Sequence, residues 1–451
     1  MTAIAAEPLA VDGGRPAVAE PWPTGYTGAH WIGEEERREV LEVLDRKSLF
    51  RYYGPGQPDK VATLERAFAA YAGTRWALGV TSGTAALKVA LAGLGVGPGD
   101  EVIVPAITFI ASAGAVLAHH ALCVFAECDD SFGLDPADVA RKITPRTRAI
   151  MPVHLGGVAC RMDELLAVAR ARGVRVLEDC AQSAGASYMG KKIGSFGDAG
   201  AFSLQTQKVI TAGEGGIVTT SDPVVYERCF RYHDHGGYGY GRLGVAISPV
   251  SGSTAAAGPE ANAPPPPQLA PFVGEVYRMG ELQGAVALAQ LRKIDEIVAN
   301  ARANKRRLIE GIGALAGKGF RFREIPDPDG DAGVRLGLIL DDPARTAPFC
   351  RALRAEGVPV AQVYGGRPVY AAEQILHRRP HWAVDDADAA RRPLVPAGEP
   401  YGPAARYALG MCPRSEALLQ RAVSLDVSGR LTDAHLAGAT RAIHKVCAAV
   451  L

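Results

Sequence analysis

Between Arg75 and Thr220 the chain repeats one pattern: a short apolar, β-prone run, a turn marked by glycine or proline, and then a helical stretch. The runs are "WALGVT", "EVIVP", "LCVFAE", "RAIMPV", "VRVLED", "GAFSL" and "GIVTT". Strands separated by helices cannot be joined by hairpins, so they must lie mostly parallel, with crossover helices covering both faces of the sheet. The fold class is therefore α/β. In such sheets ligands bind beyond the carboxyl ends of the strands, which singles out Ser82, Asp179, Ser203 and Lys208 among the polar residues.

A chain of 451 residues exceeds the size at which one core stops growing, so a large domain and a smaller one are expected. We divide it into an N-terminal segment (1–45), a large α/β domain (46–295) and a small C-terminal domain (296–451). The stretch from Gly237 to Pro271 is rich in Gly, Ala, Ser and Pro and reads as an inserted mobile loop. The segment after it, Glu281 to Ile312, places Leu282, Ala285, Val286 and Ala289 at helical spacing and is expected to form a long connecting helix. The remainder mixes helices with a few strands, "RLGLIL" among them, and no internal repeat is apparent.

Basic and acidic side chains nearly balance, 49 against 48, which argues against a nucleic acid or a membrane surface as partner. The N-terminus lacks a basic stretch followed by an apolar core, and no run is long enough to span a bilayer, so a soluble cytoplasmic protein is expected. The eight cysteines show no close-spaced pair with zinc or redox spacing and read as reduced core residues.

Three motifs then converge. "VTSGTAALKVAL" reads as strand, turn and helix, with Ser82 as N-cap and Gly83 and Thr84 following, so free amides and the helix dipole offer a phosphate site. "VLEDCAQSAGA" ends a strand with Glu178 and Asp179, and a carboxylate there can hold a heteroaromatic nitrogen protonated. In "AFSLQTQKVITAGEGG" Lys208 stands between a strand and a glycine-rich turn. Each has a plainer alternative: a capped helix, a carboxylate capping a turn, and a solvated charge. A lysine in a partly desolvated cleft has a depressed pKa and can form an imine, and the company of the other two motifs favours that role.

Phe109, after "EVIVP", suits either a ring lying on a cofactor or an ordinary core aromatic. His154, in "MPVHLGG", is left outside the catalytic set because a buried histidine satisfied by backbone is at least as good a reading. "GASYMGKK" is spaced like a phosphate-binding loop but has Lys192 where a Ser or Thr is required. "GLGVGPG" follows a helix and precedes a strand, the reverse of a dinucleotide fingerprint. "HDHGG" has no partner at ligand spacing, and no metal site is expected.

From about Tyr52 to the C-terminus the chain resembles the DegT/DnrJ/EryC1/StrS family of sugar aminotransferases, fold-type I pyridoxal-phosphate enzymes. The resemblance is carried by "YYGPG", "SGTAAL", "GPGDEVIVPAITFIASA", "TRAIMPVHLGG", "EDCAQSAGA", "GSFGDAGAFSLQTQK", "TAGEGGIVTT" and "YRMGELQGAVALAQL". It implies a mostly parallel seven-stranded sheet between helices, a smaller α+β C-terminal domain, and pyridoxal 5'-phosphate as cofactor. It further implies that Lys208 is the Schiff-base lysine, that Asp179 partners the pyridine nitrogen and that Gln182 contacts the ring hydroxyl. Gly83, Thr84 and Ser203 would hold the phosphate and Phe109 would cover the ring.

The family works as a homodimer whose sites are completed across the interface, through an asparagine of a "YNYRM"-like motif. Here "GEVYRM" has Val276 at that place, which leaves either a local register shift or another group, such as Arg278, to meet the phosphate. The run before the lysine carries Gln205 and Gln207 and resembles a branch that includes aminocyclitol enzymes. The implied activity is transamination of a nucleotide-linked keto sugar or a ketocyclitol, with glutamate or glutamine as donor, in amino-sugar, glycan or antibiotic biosynthesis. The rival expectations are a dehydratase or lyase on the same fold and a non-catalytic cofactor-binding partner protein.

Overall fold

The structure, a computed structural model, describes residues 7–23, 25, 27–56, 59–237, 272–377, 379–381, 383–391 and 407–451. The seven β-prone runs all become strands of one sheet: β1 (Trp76–Val80), β2 (Glu101–Pro105), β3 (Leu122–Ala126), β4 (Thr147–Ile150), β5 (Arg175–Asp179), β8 (Ala199–Ser203) and β9 (Gly216–Thr220). Two short strands, β6 (Ser187–Tyr188) and β7 (Lys191–Lys192), form a separate hairpin from the segment spaced like a phosphate loop. Its turn residues Met189 and Gly190 both have positive φ, as a tight hairpin requires.

The sheet order is β1-β9-β8-β5-β4-β2-β3. β9 runs antiparallel to β1 and β8, and the other neighbours pair in parallel. Successive side chains of a strand point to opposite faces, and here each face has its own core. Val102 and Val104 pack with α3 (Gly83–Gly93), α4 (Ile110–Ala118) and α7 (Pro223–Tyr232). Ile103 lies on the other side, with α2 (Lys60–Ala72), α6 (Met162–Arg172) and α8 (Glu281–Ile312). Val61, Leu64 and Phe68 of α2 are almost fully buried there, each contributing roughly 1.5–3 kcal/mol.

All eight cysteines are free and buried. No helix among the described residues is long and apolar enough to cross a membrane.

α8 runs unbroken through the expected boundary at 295/296 and physically joins the two domains. Beyond it, β10 (Phe320–Phe322), β11 (Arg335–Leu340), β12 (Ala361–Gln362) and β13 (Ala422–Asp426) form an antiparallel sheet in the order β10-β11-β13-β12. The run "RLGLIL" is its strand β11. The N-terminal segment is anchored rather than loose. The amides of Ala10 and Ala17 donate to Glu356 at 2.7 and 3.0 Å, and Val18 joins the small domain's core. α1 (Glu34–Arg46) crosses the expected 45/46 boundary.

The expected loop at 237–271 lies outside the described residues apart from Gly237. Its two ends are held together: Asp234 pairs with Val276, the His235 amide donates to Glu275, and the Tyr277 amide donates to His233.

Candidate active site

The first wall of the site is the start of α3. The Ser82 hydroxyl accepts the Ala85 amide at 3.1 Å and the Ser82 carbonyl accepts that of Ala86. The amides of Gly83 and Thr84 stand at the open end, where a helix has no internal acceptor to offer. Ser203, the last residue of β8, packs directly on this turn: a Cβ at Gly83 would lie 2.6 Å from the Ser203 Cβ and 2.9 Å from its hydroxyl. Glycine is required there because backbone and hydroxyl share the space. Gly216 serves the same end from β9, since a Cβ on it would meet the Ser82 carbonyl oxygen at 2.2 Å. Thr84 is exposed at the mouth of this cradle.

Asp179 closes β5 and is only 4% exposed. The Ser112 hydroxyl donates to its Oδ2 at 2.8 Å and the Ala181 amide to its Oδ1 at 3.1 Å. Ser112 itself lies 2.8 Å from the Thr108 hydroxyl, which can donate to it in turn. Burial pushes the Asp179 carboxyl up, while these hydrogen bonds and then the Lys208 charge draw it back in part. A carboxylate so enclosed calls for a cation.

Lys208 lies in the turn after β8, its amide donating to Gln205 and its carbonyl accepting from Gly28. Its ammonium makes no hydrogen bond among the described residues. Burial pushes its pKa down. Asp179 opposes that shift, Arg335 adds to it and Glu214 opposes it again. The amine is thus more easily freed of its proton than an exposed lysine.

Gln182 follows Asp179 and donates through Nε2 to the Tyr364 hydroxyl at 2.9 Å, while its carbonyl accepts the Gly157 amide. Phe109 is 57% exposed at the start of α4, so its ring is not a core aromatic.

His154 is fully buried. Its Nδ1 accepts the Cys160 amide at 3.1 Å, which places the ring proton on Nε2, 3.1 Å from Glu178. Glu178 also accepts the amides of Gly194, Phe196 and Gly197. His154, Glu178 and Cys180 lie close enough together to suggest a metal cluster, yet the carboxylate oxygens are already committed to four donors. The group is a buttress that fixes the ends of β4 and β5.

Val276 is 41% exposed beside Asp234, and Arg278 is held by the same Asp234 at 2.6 Å with its guanidinium 4.9 Å from the Phe50 ring centre. Arg278 is therefore engaged with a buried carboxylate.

Three residues that sequence reasoning passed over also belong here: Ser112, Tyr364 and Arg335. Ser112 had a usable signal, four residues past Thr108 at the mouth of β2. The two small-domain residues carried none.

The residues present fit pyridoxal phosphate: an amine of lowered pKa, a buried carboxylate lacking a full counter-charge, and a glycine-lined helix start with a hydroxyl against it. The fold and this trio define an α/β transferase with a mostly parallel large domain and an antiparallel small one. The chain belongs to the DegT/DnrJ/EryC1/StrS aminotransferase family, which it matches over residues 30–391.

It is 33% identical over 436 residues to the L-glutamine:2-deoxy-scyllo-inosose aminotransferase of Streptomyces kanamyceticus, covering 94% of this chain and 90% of that protein. It is 40% identical over 268 residues to the GDP-perosamine synthase of Caulobacter vibrioides, covering 58% of this chain and only 63% of that relative. Its structure is similar to that of DesV from S. venezuelae, solved in complex with a ketimine intermediate, with a TM-score of 0.70, 30% identity, and coverage of 92% of this chain and 94% of that one.

Proposed function

We propose that the chain is a pyridoxal-phosphate aminotransferase that moves an amino group from L-glutamine or L-glutamate to a ketocyclitol or a keto sugar. The observation that carries this reading is the pairing of Lys208, whose amine burial makes easier to deprotonate, with the buried Asp179 at neighbouring strand ends. The near-full-length likeness to a 2-deoxy-scyllo-inosose aminotransferase supports the cyclitol arm of the acceptor class.

The cofactor, when bound, supplies a carbonyl that takes up the amino group and a ring that draws electrons from the substrate carbon. Lys208 would hold it through Nζ and, once released, would carry the proton between the substrate carbon and the cofactor's C4′. Asp179 keeps the ring nitrogen protonated, with Ser112 and the Ala181 amide fixing which oxygen faces it. Gly83, Thr84 and Ser203 receive the phosphate at the start of α3. Gln182 addresses the ring hydroxyl and Phe109 covers the ring. A homodimer, with Val276 in place of the family's asparagine, completes the proposal.

A half-reaction screen tests it. L-glutamine or L-glutamate should shift the bound cofactor's visible absorbance to that of its amino form, and a ketocyclitol or keto sugar should restore it. Release of ammonia or water without a keto acid from the donor would overturn the transaminase reading in favour of a lyase. A cofactor that no donor converts would point to a non-catalytic binding protein.

A further inference from the structure

An aminotransferase of the proposed kind must hold two unlike substrates in turn at the same atoms. The donor carries a carboxylate on its reacting carbon, whereas the carbonyl carbon of a ketocyclitol carries no charged group and is flanked only by ring carbons. One cation at the site must therefore serve the first substrate and be neutralised for the second.

Most cations around the cleft are already committed. Lys208 is the reacting amine, Arg278 is held by buried Asp234, and Arg51 by buried Glu65. Arg323 is buried over the Phe132 ring, with Nε donating to the Ser131 carbonyl at 2.7 Å.

Arg335 is different. It opens β11 in the small domain, and its stem crosses the loop after β4, with Cδ 3.0 Å from where a Cβ on Gly156 would be. The next residue, Gly157, donates to the Gln182 carbonyl, and Gln182 holds Tyr364, so Arg335 lies in the same wall as the proposed cofactor contacts. Its charge is close enough to bear on Lys208.

The present partner of Arg335 is Asp426, reached by Nε at 2.9 Å and Nη2 at 2.8 Å. Both side chains are more than a third exposed, 37% and 42%, so the pair is weak and exchangeable. Nη1 has no hydrogen-bond partner among the described residues.

We propose that Arg335 recognises the α-carboxylate of the amino donor, and that Asp426 is the resting partner that neutralises it when the uncharged acceptor occupies the site. This rests on the aminotransferase reading above. A guanidinium fork suits a carboxylate because two parallel N–H groups meet two oxygens, and a half-exposed carboxylate on the protein can yield one of them to the substrate.

The test is stopped-flow measurement of each half-reaction in the cofactor-loaded full chain, with Arg335→Gln and Arg335→Lys. With L-glutamine as donor, the ratio of donor-half to acceptor-half rate constants should fall on the order of 100-fold in Arg335→Gln, and less in Arg335→Lys. The preference for L-glutamine over 4-aminobutanamide, the same amine without the carboxylate, should collapse in parallel. Calorimetric binding of 2-oxoglutarate should weaken with the same ranking, which gives a readout independent of turnover.

Equal losses in both halves, or an undiminished preference for the carboxylate-bearing donor, would overturn the assignment. So would a loss confined to a nucleotide-linked acceptor, which would move Arg335 to the acceptor's phosphates. If the unaltered protein converts with no donor while Arg335→Gln still weakens 2-oxoglutarate binding, the aminotransferase reading fails and the carboxylate site stands.

Discussion

The two walls of the cleft are built in different ways. The large-domain wall comes from short contiguous stretches, Ser82 to Thr84, Asp179 to Gln182 and Ser203 to Lys208, each at the end of a strand whose position the sheet dictates. The small-domain wall comes from Arg335 and Tyr364, isolated residues on a strand start and a strained turn. The first wall carries the proposed chemistry, which demands that its geometry be held closely. The second touches the first through one hydrogen bond, Gln182 to Tyr364, and through the stem of Arg335 against Gly156, the kind of contact that tunes which substrate is accepted.

The largest effect should come from Lys208→Ala. Turnover should fall by roughly 10⁴-fold or more, because the group proposed to hold the cofactor and move the proton is gone. Borohydride reduction of the unaltered protein should fix the cofactor on the peptide containing Lys208, and the variant should take no label. A label on any other lysine would break the assignment of chemistry to this wall.

Asp179→Asn should lower kcat by about 10²–10³-fold while the fold survives, since only the charge proposed to face the ring nitrogen is removed. The pH dependence sharpens the point. Burial raises the Asp179 pKa above its usual value, and only the ionised form can hold a cation. Cofactor retention should therefore be full above that raised pKa and be lost as pH falls through it, at a higher pH than an exposed aspartate would give. The asparagine variant should lose this dependence, which absorbance after gel filtration at a series of pH values would show.

Gly83→Ala places a methyl within 2.6 Å of the Ser203 Cβ, and the strand end and helix start must move apart. We expect a loss of about 1–3 kcal/mol in stability, together with weaker cofactor binding. Adding Ser203→Gly should restore the melting temperature but not the cofactor affinity, because it removes the clash and the proposed phosphate contact together. If the double change restored both, Ser203 would be packing only.

Much of the first wall was legible in the sequence because strand ends, helix starts and close-approach glycines leave local signatures. The seven runs announced the sheet, and "SGTAAL", "EDCAQSAGA" and "SLQTQK" sit where the strands stop. Phe109 and His154 could not be settled, since exposure and hydrogen-bond partners belong to tertiary packing. One proved exposed and the other a fully buried buttress. Arg335 and Tyr364 were invisible for a related reason. Each reaches Gly156 or Gln182 across more than 170 residues of chain, and nothing in "GVRLGLIL" or "QVYGGR" distinguishes such a residue from its neighbours.

The smallest and most discriminating effect should come from Tyr364→Phe. Tyr364 sits at φ 47°, followed by Gly365 and Gly366 at 61° and 76°, and a bulky residue in that left-handed region is strained by roughly 1–2 kcal/mol. The hydroxyl's bond to Gln182 is one of the contacts that offset this strain. Phenylalanine keeps the ring and the backbone strain but loses the bond, worth about 0.5–1.5 kcal/mol, so kcat/KM should fall no more than about tenfold. Because Gln182 is the proposed contact of the ring hydroxyl, that loss should appear in both half-reactions alike. A loss confined to the donor half would instead join Tyr364 to Arg335 in recognising the carboxylate, making the second wall a single binding surface rather than two separate supports.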